Sequence, residues 1–343
     1  MGFAPYDVKL KLTFRCNAQC YYCLHHLKTK TIPNKLADQE LSKFEWTKLI
    51  KELASLGSQS FHFTGGEPTL RSDLPELVRL VGKKLKLRAK MTSNGSLITP
   101  NLAEQLAQAK LKTINISLDG FGSMHDKVRG KGMFDKTWAG IQALDEARQK
   151  FGRPQVRINH VITSENIRHL GEFLTFLDQE GRSISAIHLL FVDWGHTRHD
   201  LALAKEEVGE LLRQFSNLQS HTKLDIREAS LLLEQADTTA EDFSRGSYAT
   251  KALTLPCYFP YVHLFILPNG DLNICCGAER RPELSLGNLR KQSAKELWEG
   301  PSYLRLREFL HTEKFDFCKA CDHGILINET IEAKLNGRSE CTQ

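Results

Sequence analysis

Three cysteines near the start of the chain lie close enough together to bind one metal cluster. They are Cys16, Cys20 and Cys23, separated by three and then by two residues. Three thiolates on one short loop can ligate three irons of a cubane 4Fe–4S cluster, and bacterial ferredoxin loops add a fourth cysteine close by. Here no further cysteine follows in the first half of the chain. One iron would therefore stay open to a ligand with its own donor atoms, unless His25 or His26 completes a zinc site instead.

A second group of cysteines toward the C-terminus can form a complete metal site. Cys257 precedes an apolar stretch, a Pro-Asn-Gly-Asp turn and Cys275, and Asn-Gly is a strong hairpin signal. A Cys-x2-Cys pair follows at Cys318 and Cys321. Four thiolates suit zinc or an iron–sulfur cluster. On this chemistry alone zinc ranks first, because structural zinc ribbons are the commoner use of such cysteines.

Alternating strands and helices must position these groups. The predicted strands cover 7–15, 60–64, 89–92, 112–117, 156–162 and 186–192, and the predicted helices cover 41–56, 74–84, 101–109, 135–149 and 165–179. Such alternation indicates a parallel sheet with helices outside, closed partly or wholly into a barrel. Ligand groups in these folds collect on the loops after the carboxyl ends of the strands.

Polar motifs follow three of these strands at that end. Gly65-Gly66-Glu67-Pro68 follows the second strand, Ser93-Asn94-Gly95 the third, and Ser117-Leu118-Asp119 the fourth. Each motif by itself is a common turn or helix cap. Their joint order, with the cysteine loop after the first strand, favours one ligand site over a zinc site and unrelated turns.

On the cysteine loop and these motifs, residues 7–195 resemble the partial (β/α)6 barrel of the radical S-adenosylmethionine (radical SAM) enzymes, an α/β fold. The resemblance implies that the amino and carboxylate groups of SAM complete the open iron. It further implies that Glu67 belongs to the group that holds the amine, that Tyr22 meets the adenine, and that Arg129 pairs with the carboxylate. The residues assigned to SAM binding are Tyr22, Gly65, Gly66, Glu67, Ser93, Asn94, Ser117, Asp119 and Arg129.

Residues 255–325 resemble the twitch domain, a shortened SPASM domain that carries one auxiliary 4Fe–4S cluster. The resemblance reverses the ranking of zinc and iron. The ligands it implies are Cys257, Cys275, Cys318 and Cys321. The last two cysteines of a full SPASM pattern are missing, and only Cys341 follows, where a mobile thiol is expected. Cys276 is spare, and we interpret it as a hydrogen-atom donor, a replacement ligand for its neighbour or an inert thiol. The spacing differs from that of GTP 3′,8-cyclase, so this activity is not expected.

The sequence thus predicts four regions. They are a radical SAM partial barrel over 1–200, a helical connector over 201–254, a twitch-like domain over 255–325 and a tail over 326–343. Helices are predicted at 203–219 and 227–236. Three polar residues before the connector either face the substrate or lie in a surface loop: His196, His199 and Asp200.

The resemblance implies an enzyme, an oxidoreductase or an epimerase. A flavodoxin- or ferredoxin-type reductant would supply an electron, and SAM would be cleaved to methionine and a 5′-deoxyadenosyl radical that abstracts a hydrogen atom from the substrate. We expect dehydrogenation or epimerisation of a small natural-product intermediate, such as an amino sugar or aminocyclitol. The alternative is crosslinking or epimerisation of a ribosomal peptide. A zinc or iron–sulfur binding module is the non-enzyme alternative.

Composition excludes several other classes of protein. Hydrophobic residues make up 41% and charged residues 25% of the chain, which is typical of a globular protein. No apolar run approaches the ~20 residues of a membrane span, and a signal peptide is absent, so we expect a cytoplasmic protein without a membrane partner. The net charge of +5 is too small to indicate nucleic-acid binding.

Overall fold

The core of the protein is one mixed sheet of nine strands. The computed structural model describes residues 4–23, 39–181, 183–191, 203–204, 206–209, 211, 222–227, 253–321 and 325–335. The strands are β1 Asp7–Lys11, β2 Ser60–Thr64, β3 Arg88–Ser93, β4 Leu111–Ser117, β5 Gln155–Ile162, β6 Ile184–Phe191, β7 Asp225–Arg227, β8 His263–Ile266 and β9 Leu272–Asn273. Their order is β7-β6-β5-β4-β3-β2-β1-β8-β9, so the sheet is not closed. All neighbouring strands are parallel except β8 and β9.

Helices connect the strands and cover one face of the sheet. They are α1 Lys43–Leu56, α2 Leu74–Arg79 with a π-helical turn over Leu80–Lys84, α3 Pro100–Gln108, α4 Ser123–Arg129, α5 Met133–Phe151, α6 Leu170–Glu180, α7 Phe259–Val262, α8 Ala294–Trp298, α9 Pro301–Thr312 and α10 Ile325–Leu335. Helix α1 shows why these segments begin and end where they do. Ser42 and Glu45 form a reciprocal capping box at its start, and Gly57 ends it with a φ of 114°. No described helix is long and apolar enough to cross a membrane.

The two faces of the sheet differ in chemistry because side chains alternate along each strand. The face toward the helices is apolar and buried, with Val8, Leu10, Phe61, Phe63, Ala89 and Met91 among its residues. The opposite face, which we call the polar face, begins with Asp7, Lys9 and Lys11 on β1. In register with Lys9 are His62 on β2 and Phe265 on β8.

The predicted α/β fold with a parallel sheet is confirmed, and several elements differ from prediction. The C-terminal hairpin is part of the same sheet, because β8 pairs in parallel with β1. The first strand ends at Lys11 rather than at residue 15. The C-terminal segment also contains two successive helices, α8 and α9, which are separate because Pro301 starts α9 after Gly300.

Other differences concern the last third of the chain. Residues 325–335 form α10 where a tail was expected. Most of the predicted connector lies outside the described residues, although 206–209 are helical as predicted. Residues 225–227 form the edge strand β7, which the sequence did not indicate.

Candidate functional site

The first cysteine loop leaves β1 alongside the Gly-Gly-Glu motif. The Gly66 N–H donates to the Thr13 carbonyl at 2.8 Å, and the Glu67 N–H donates to the Arg15 carbonyl at 2.8 Å. A Cβ at Gly65 would lie 2.9 Å from the Thr13 carbonyl oxygen, so only glycine allows this close approach. The sequence motif after β2 therefore fixes the start of the loop that carries the cysteines.

Helix α4 holds the other part of the loop. The Gln19 N–H donates to the Arg129 carbonyl at 3.0 Å, and the Tyr21 N–H donates to the Val128 carbonyl at 3.2 Å. These bonds use carbonyls at the end of α4 that have no partner within the helix. A short helix that the sequence did not indicate thus anchors the predicted cluster loop.

The three cysteines lie within electrostatic range of one another. Cys20 is buried, Cys23 is half-buried and Cys16 is exposed. Burial raises the pKa of Cys20 to about 12, and thiolate charge on the other two adds to this, while Arg129 opposes it. Among the described residues no three Cys, His, Asp or Glu side chains converge on a single ion. The fit to a cluster rests on crowded thiols, which iron ions would hold as thiolates.

Glu67 joins the ends of β2 and β3. Its Oε1 accepts from the hydroxyls of Ser93 at 2.8 Å and Thr69 at 2.6 Å, and its Oε2 accepts from the Asn94 N–H at 2.7 Å. Burial raises the pKa of Glu67, and these donors partly offset that rise. The predicted contact between Glu67 and the SAM amine stays a prediction.

Asn17, which the sequence reasoning missed, links the cysteine loop to the motif after β3. Its Oδ1 accepts from the Asn94 Nδ2 at 2.8 Å, and its Nδ2 donates to the Ser96 hydroxyl at 2.9 Å. The only signal for it was its position between Cys16 and Cys20. The structure therefore brings Ser93 and Asn94 to the cysteine loop, as the sequence predicts for one ligand site.

Tyr22, Asp119 and Arg129 form a buried network. The Asp119 Oδ2 accepts from the Arg129 Nε at 2.6 Å and from the Tyr22 hydroxyl at 2.7 Å, and Arg129 Nη2 donates to that hydroxyl at 2.7 Å. The Val161 N–H donates to Asp119 Oδ1 at 2.9 Å. Burial alone would raise the pKa of Asp119, but the charge of Arg129 outweighs it and the pKa is lowered.

This network changes how the predicted SAM contacts are interpreted. Arg129 also directs Nη1 at the Cys20 Sγ, 3.5 Å away, so each of its three donor nitrogens has a protein partner. It holds the cysteine loop against the end of β4. The predicted contacts of Tyr22 with adenine and of Arg129 with the SAM carboxylate stay predictions. Ser117, at the end of β4, lies half-buried beside Asn159 of β5.

The C-terminal cysteines also lie near one another. Burial raises the pKa of Cys318 to about 11, and the neighbouring Cys257 adds to the rise. Burial likewise raises the pKa of Cys275, with a contribution from Cys318. Cys321 follows in the same turn, its N–H donating to the Cys318 carbonyl at 3.1 Å. The four predicted auxiliary ligands are therefore in one region, which Ile274, Leu310, Phe315 and Phe317 line with apolar side chains.

The spare Cys276 differs from Cys275 in its surroundings. Cys275 contacts the apolar cluster, whereas Cys276 is exposed at the start of the 3-10 turn Cys276–Arg280. A Cβ at Gly277 would lie 2.8 Å from Phe317, so the turn packs closely on the Cys-x2-Cys segment. The proposed roles of Cys276 stay predictions.

An ion pair links this turn to the barrel. Lys11 on the polar face of β1 pairs with Glu279. The turn that follows Cys275 therefore lies against the face of the sheet that the helices leave open. The remaining predicted residues lie outside the described part of the chain, namely His25, His26, His196, His199, Asp200 and Cys341.

Comparisons with known proteins match both regions. The family model described as the radical SAM superfamily matches residues 10–177. The SPASM family model, described as an iron-sulfur cluster-binding domain, matches residues 257–322. The two matched segments contain all seven predicted cluster cysteines.

The chain is similar to proteins that have different activities. It is 28% identical over 91% of its length to an AdoMet-dependent heme synthase of Oleidesulfovibrio alaskensis, of which it covers 79%. It is 26% identical over 88% of its length to a PqqA peptide cyclase of Xanthomonas euvesicatoria, of which it covers 77%. Among solved structures, SuiB of Streptococcus suis bound to S-adenosylmethionine superposes with a TM-score of 0.67 at 18% identity, over 96% of this chain and 74% of SuiB. At this identity the last likeness shows the fold alone.

Proposed function

The chain belongs to the radical SAM superfamily and has a C-terminal SPASM-type iron–sulfur domain, and from this premise we propose that it is a peptide maturase. Its cofactors are SAM and 4Fe–4S clusters. When bound, they supply one-electron chemistry that removes a hydrogen atom from a substrate. We propose a flavodoxin- or ferredoxin-type protein as the source of electrons.

We assign the SAM-binding cluster to the loop held between β1 and α4. The supporting observation is that Cys16 and Cys23 lie close enough to Cys20 to add to the rise that burial causes in its pKa, and that Arg129 Nη1 lies 3.5 Å from its sulfur. The role of Arg129 in this assignment is to donate a hydrogen bond to the Cys20 sulfur and to hold the loop. Hydrogen bonds to cluster sulfurs also set the reduction potential.

We assign the auxiliary cluster to Cys257, Cys275, Cys318 and Cys321. Beyond burial, the charge of Cys257 raises the pKa of Cys318, and the charges of Cys276 and Cys318 raise that of Cys275. These interactions and the apolar surroundings of Cys257 and Cys275 support this set. A cluster with four protein ligands has no open iron for a substrate. Its proposed role is to accept an electron, which makes an oxidative crosslink the favoured reaction over epimerisation.

In place of the expected amino sugar or aminocyclitol, we propose the alternative substrate, a ribosomal peptide. The supporting observation is the likeness to a PqqA peptide cyclase along most of this chain. A second candidate is oxidation of a tetrapyrrole side chain, because the likeness to a heme synthase covers a similar share at slightly higher identity.

Anaerobic reconstitution followed by product analysis tests the proposal. The loaded protein should hold about eight irons per chain and convert SAM to 5′-deoxyadenosine with dithionite. Co-expression with each short open reading frame beside the gene should yield one peptide that has lost 2 Da for every crosslink. Incubation with iron-coproporphyrin III tests the second candidate.

A Cys16→Ala, Cys20→Ala, Cys23→Ala variant is the matched control. It should keep the auxiliary irons and produce no 5′-deoxyadenosine. A wild-type protein that holds the irons and cleaves SAM, yet changes only the tetrapyrrole, would contradict the peptide proposal. Deuterium uptake from solvent without loss of mass would show epimerisation instead of crosslinking.

A further inference from the structure

The polar face of the sheet has its own pattern of charge. The pairing register places Lys9 of β1 beside His62 of β2, which in turn lies beside Lys90 of β3. At the next polar position toward the carboxyl ends of the strands, Asn115 of β4 lies beside Arg157 of β5. These side chains are half-buried. Charged and imidazole groups therefore line the surface that the helices leave open.

Cations outnumber carboxylates on this face. Across β8 and β1 to β5 the polar face carries five fixed positive side chains, namely Lys9, Lys11, Arg88, Lys90 and Arg157. The same positions hold one carboxylate, Asp7, and the turn packed over the face contributes a second, Glu279. On β1 these two carboxylates leave Lys9 without an ion-pair partner among the described residues.

Both carboxylates are already engaged. Asp7 interacts with Lys90 at 3.4 Å and with His263 at 3.2 Å, which hold its pKa well below the usual range against the effect of burial. Glu279 pairs with Lys11. Neither carboxylate forms an ion pair with Lys9, which lies in the middle of the face. In the part of the chain that the structure describes, the central lysine is therefore left without an ion-pair partner.

Lys9 is a charged group in partly buried surroundings without a carboxylate of its own. Its Nζ lies over the Phe265 ring, 5.9 Å from the ring centroid. Its positive charge acts on His62. Burial lowers the pKa of His62 to about 3, and the charge of Lys9 contributes to this shift. An anion bound beside Lys9 would supply the counter-charge that the described residues do not.

The position of Lys9 fits a substrate rather than SAM. It lies on β1 between Asp7 and Lys11, below the end of the strand where the cysteine loop begins. Thr92, which is hydrogen-bonded to His62 at 2.8 Å, directly precedes the Ser93–Asn94 motif of the SAM site. An anion at Lys9 would therefore lie next to the predicted SAM site and under the turn that carries Cys276.

We propose that the polar face binds a carboxylate of the substrate, with Lys9 as its ion-pair partner. This inference rests on the proposed function, whose substrate it narrows to molecules that carry carboxylates. Two sources share this chemistry, namely acidic side chains of a peptide and the propionates of a tetrapyrrole. A neutral peptide or sugar would supply no negative charge to pair with Lys9.

Binding to the reconstituted, SAM-loaded enzyme tests the inference with two matched pairs of probes. The first pair is a fluorescein-labelled Gly-Glu-Ala-Glu-Gly peptide and its glutamine counterpart, and the second is coproporphyrin III and its tetramethyl ester. At least one acid should bind about tenfold more tightly than its neutral form, and 0.5 M salt should reduce this ratio. The pair that shows the preference identifies the source of the carboxylate.

Variants at one position make the test specific to Lys9. Lys9→Met should reduce the acid-to-neutral ratio to less than about threefold, and Lys9→Arg should largely restore it. Lys112→Met is the matched control, because Lys112 is an exposed lysine of β4 at a register irregularity away from this row, and it should keep the full ratio.

The outcomes separate this inference from the proposed function. Formation of 5′-deoxyadenosine by the wild type, and a mass change in a co-expressed peptide, report on the function alone. The inference is overturned if neither acid binds better than its neutral form, or if Lys9→Met keeps the wild-type ratio.

Discussion

Replacing Asp119 by asparagine tests whether the buried network holds the cysteine loop. The substitution keeps the shape of the side chain and removes its charge. It leaves Arg129, which is only 7% exposed, without the carboxylate at 2.6 Å from its Nε. The Tyr22 hydroxyl loses the same acceptor. We therefore expect Asp119→Asn to destabilise the protein and to loosen the loop.

The loss of unfolding free energy depends on which other groups compensate the positive charge of Arg129. Removing one partner of a buried ion pair costs about 3–5 kcal/mol, because the remaining charge is buried alone. In the iron-free protein Arg129 keeps only the Tyr22 hydroxyl and a neutral Cys20 thiol, so this full range applies. In the loaded protein Cys20 is a thiolate, and its negative charge should reduce the loss to about 2–3 kcal/mol.

Guanidinium unfolding under anaerobic conditions measures both values. The midpoint and slope are compared for loaded and iron-free forms of the wild type and of Asp119→Asn. Glu104→Gln is the comparison variant, because Glu104 pairs with Lys150 at 2.8 Å on the surface, where ion pairs contribute little. Equal losses for the two variants, or a larger loss in the loaded than in the iron-free form, would refute the reasoning.

Two further predictions address the auxiliary ligands and the buried histidines. Cys275→Ser should lose about four irons per chain, whereas Cys276→Ser should keep them, and the reverse result in iron analysis would make the exposed thiol the ligand. Lowering the pH from 7.5 to 6.0 should reduce the unfolding free energy of the iron-free protein by about 2–3 kcal/mol. The reason is that burial lowers the pKa of three histidines, of His62 to about 3, of His125 to about 4, and of His160 in the same direction. Their stabilising effect is complete above the unfolded pKa of about 6.5 and is lost as the pH falls below it. A guanidinium midpoint that does not change between these pH values would contradict this assignment.

The strands that carry the first site could be predicted because each is a short apolar run that ends in a polar motif. The sequence interval 60–64 matches β2 residue for residue, and Glu67 and Ser93 lie at neighbouring strand ends as expected. The pairing of these ends follows from a parallel sheet, in which all carboxyl ends lie on one edge. Sequence patterns are sufficient for this part of the site.

Helix α4 could not be predicted in the same way. It has only seven residues between Gly122 and Gly130, and its hydrophobic pattern is too short to distinguish from a loop. Arg129 at its end was recognised, but not its partners. The Tyr22 hydroxyl and Asp119 are 97 residues apart in sequence, so their contact depends on the packing of α4 against the cysteine loop rather than on any local signal.

The predicted C-terminal hairpin is confirmed by the antiparallel pair β8 and β9, but its place in the main sheet was not predicted. Residues 263–266 are buried at all four positions, which is typical of a parallel strand inside a sheet and not of an exposed hairpin arm. The sequence interpretation treated this stretch as part of a separate small domain. Its pairing with β1 needs a contact between residues more than 250 positions apart, which spacing and composition do not specify.

This pairing makes the two cysteine regions parts of one structure. Strand β1 lies between β2 and β8, and the first cysteine loop leaves directly from its carboxyl end. The same strand carries Lys11, whose partner Glu279 belongs to the turn after Cys275. A change in the packing of the C-terminal segment therefore acts on the strand that positions Cys16. Because β1 is shared, part of the polar face lies between the two regions. A substrate that binds at Lys9 would contact β1, which leads to the first cysteine loop, and would lie beneath the turn that follows Cys275.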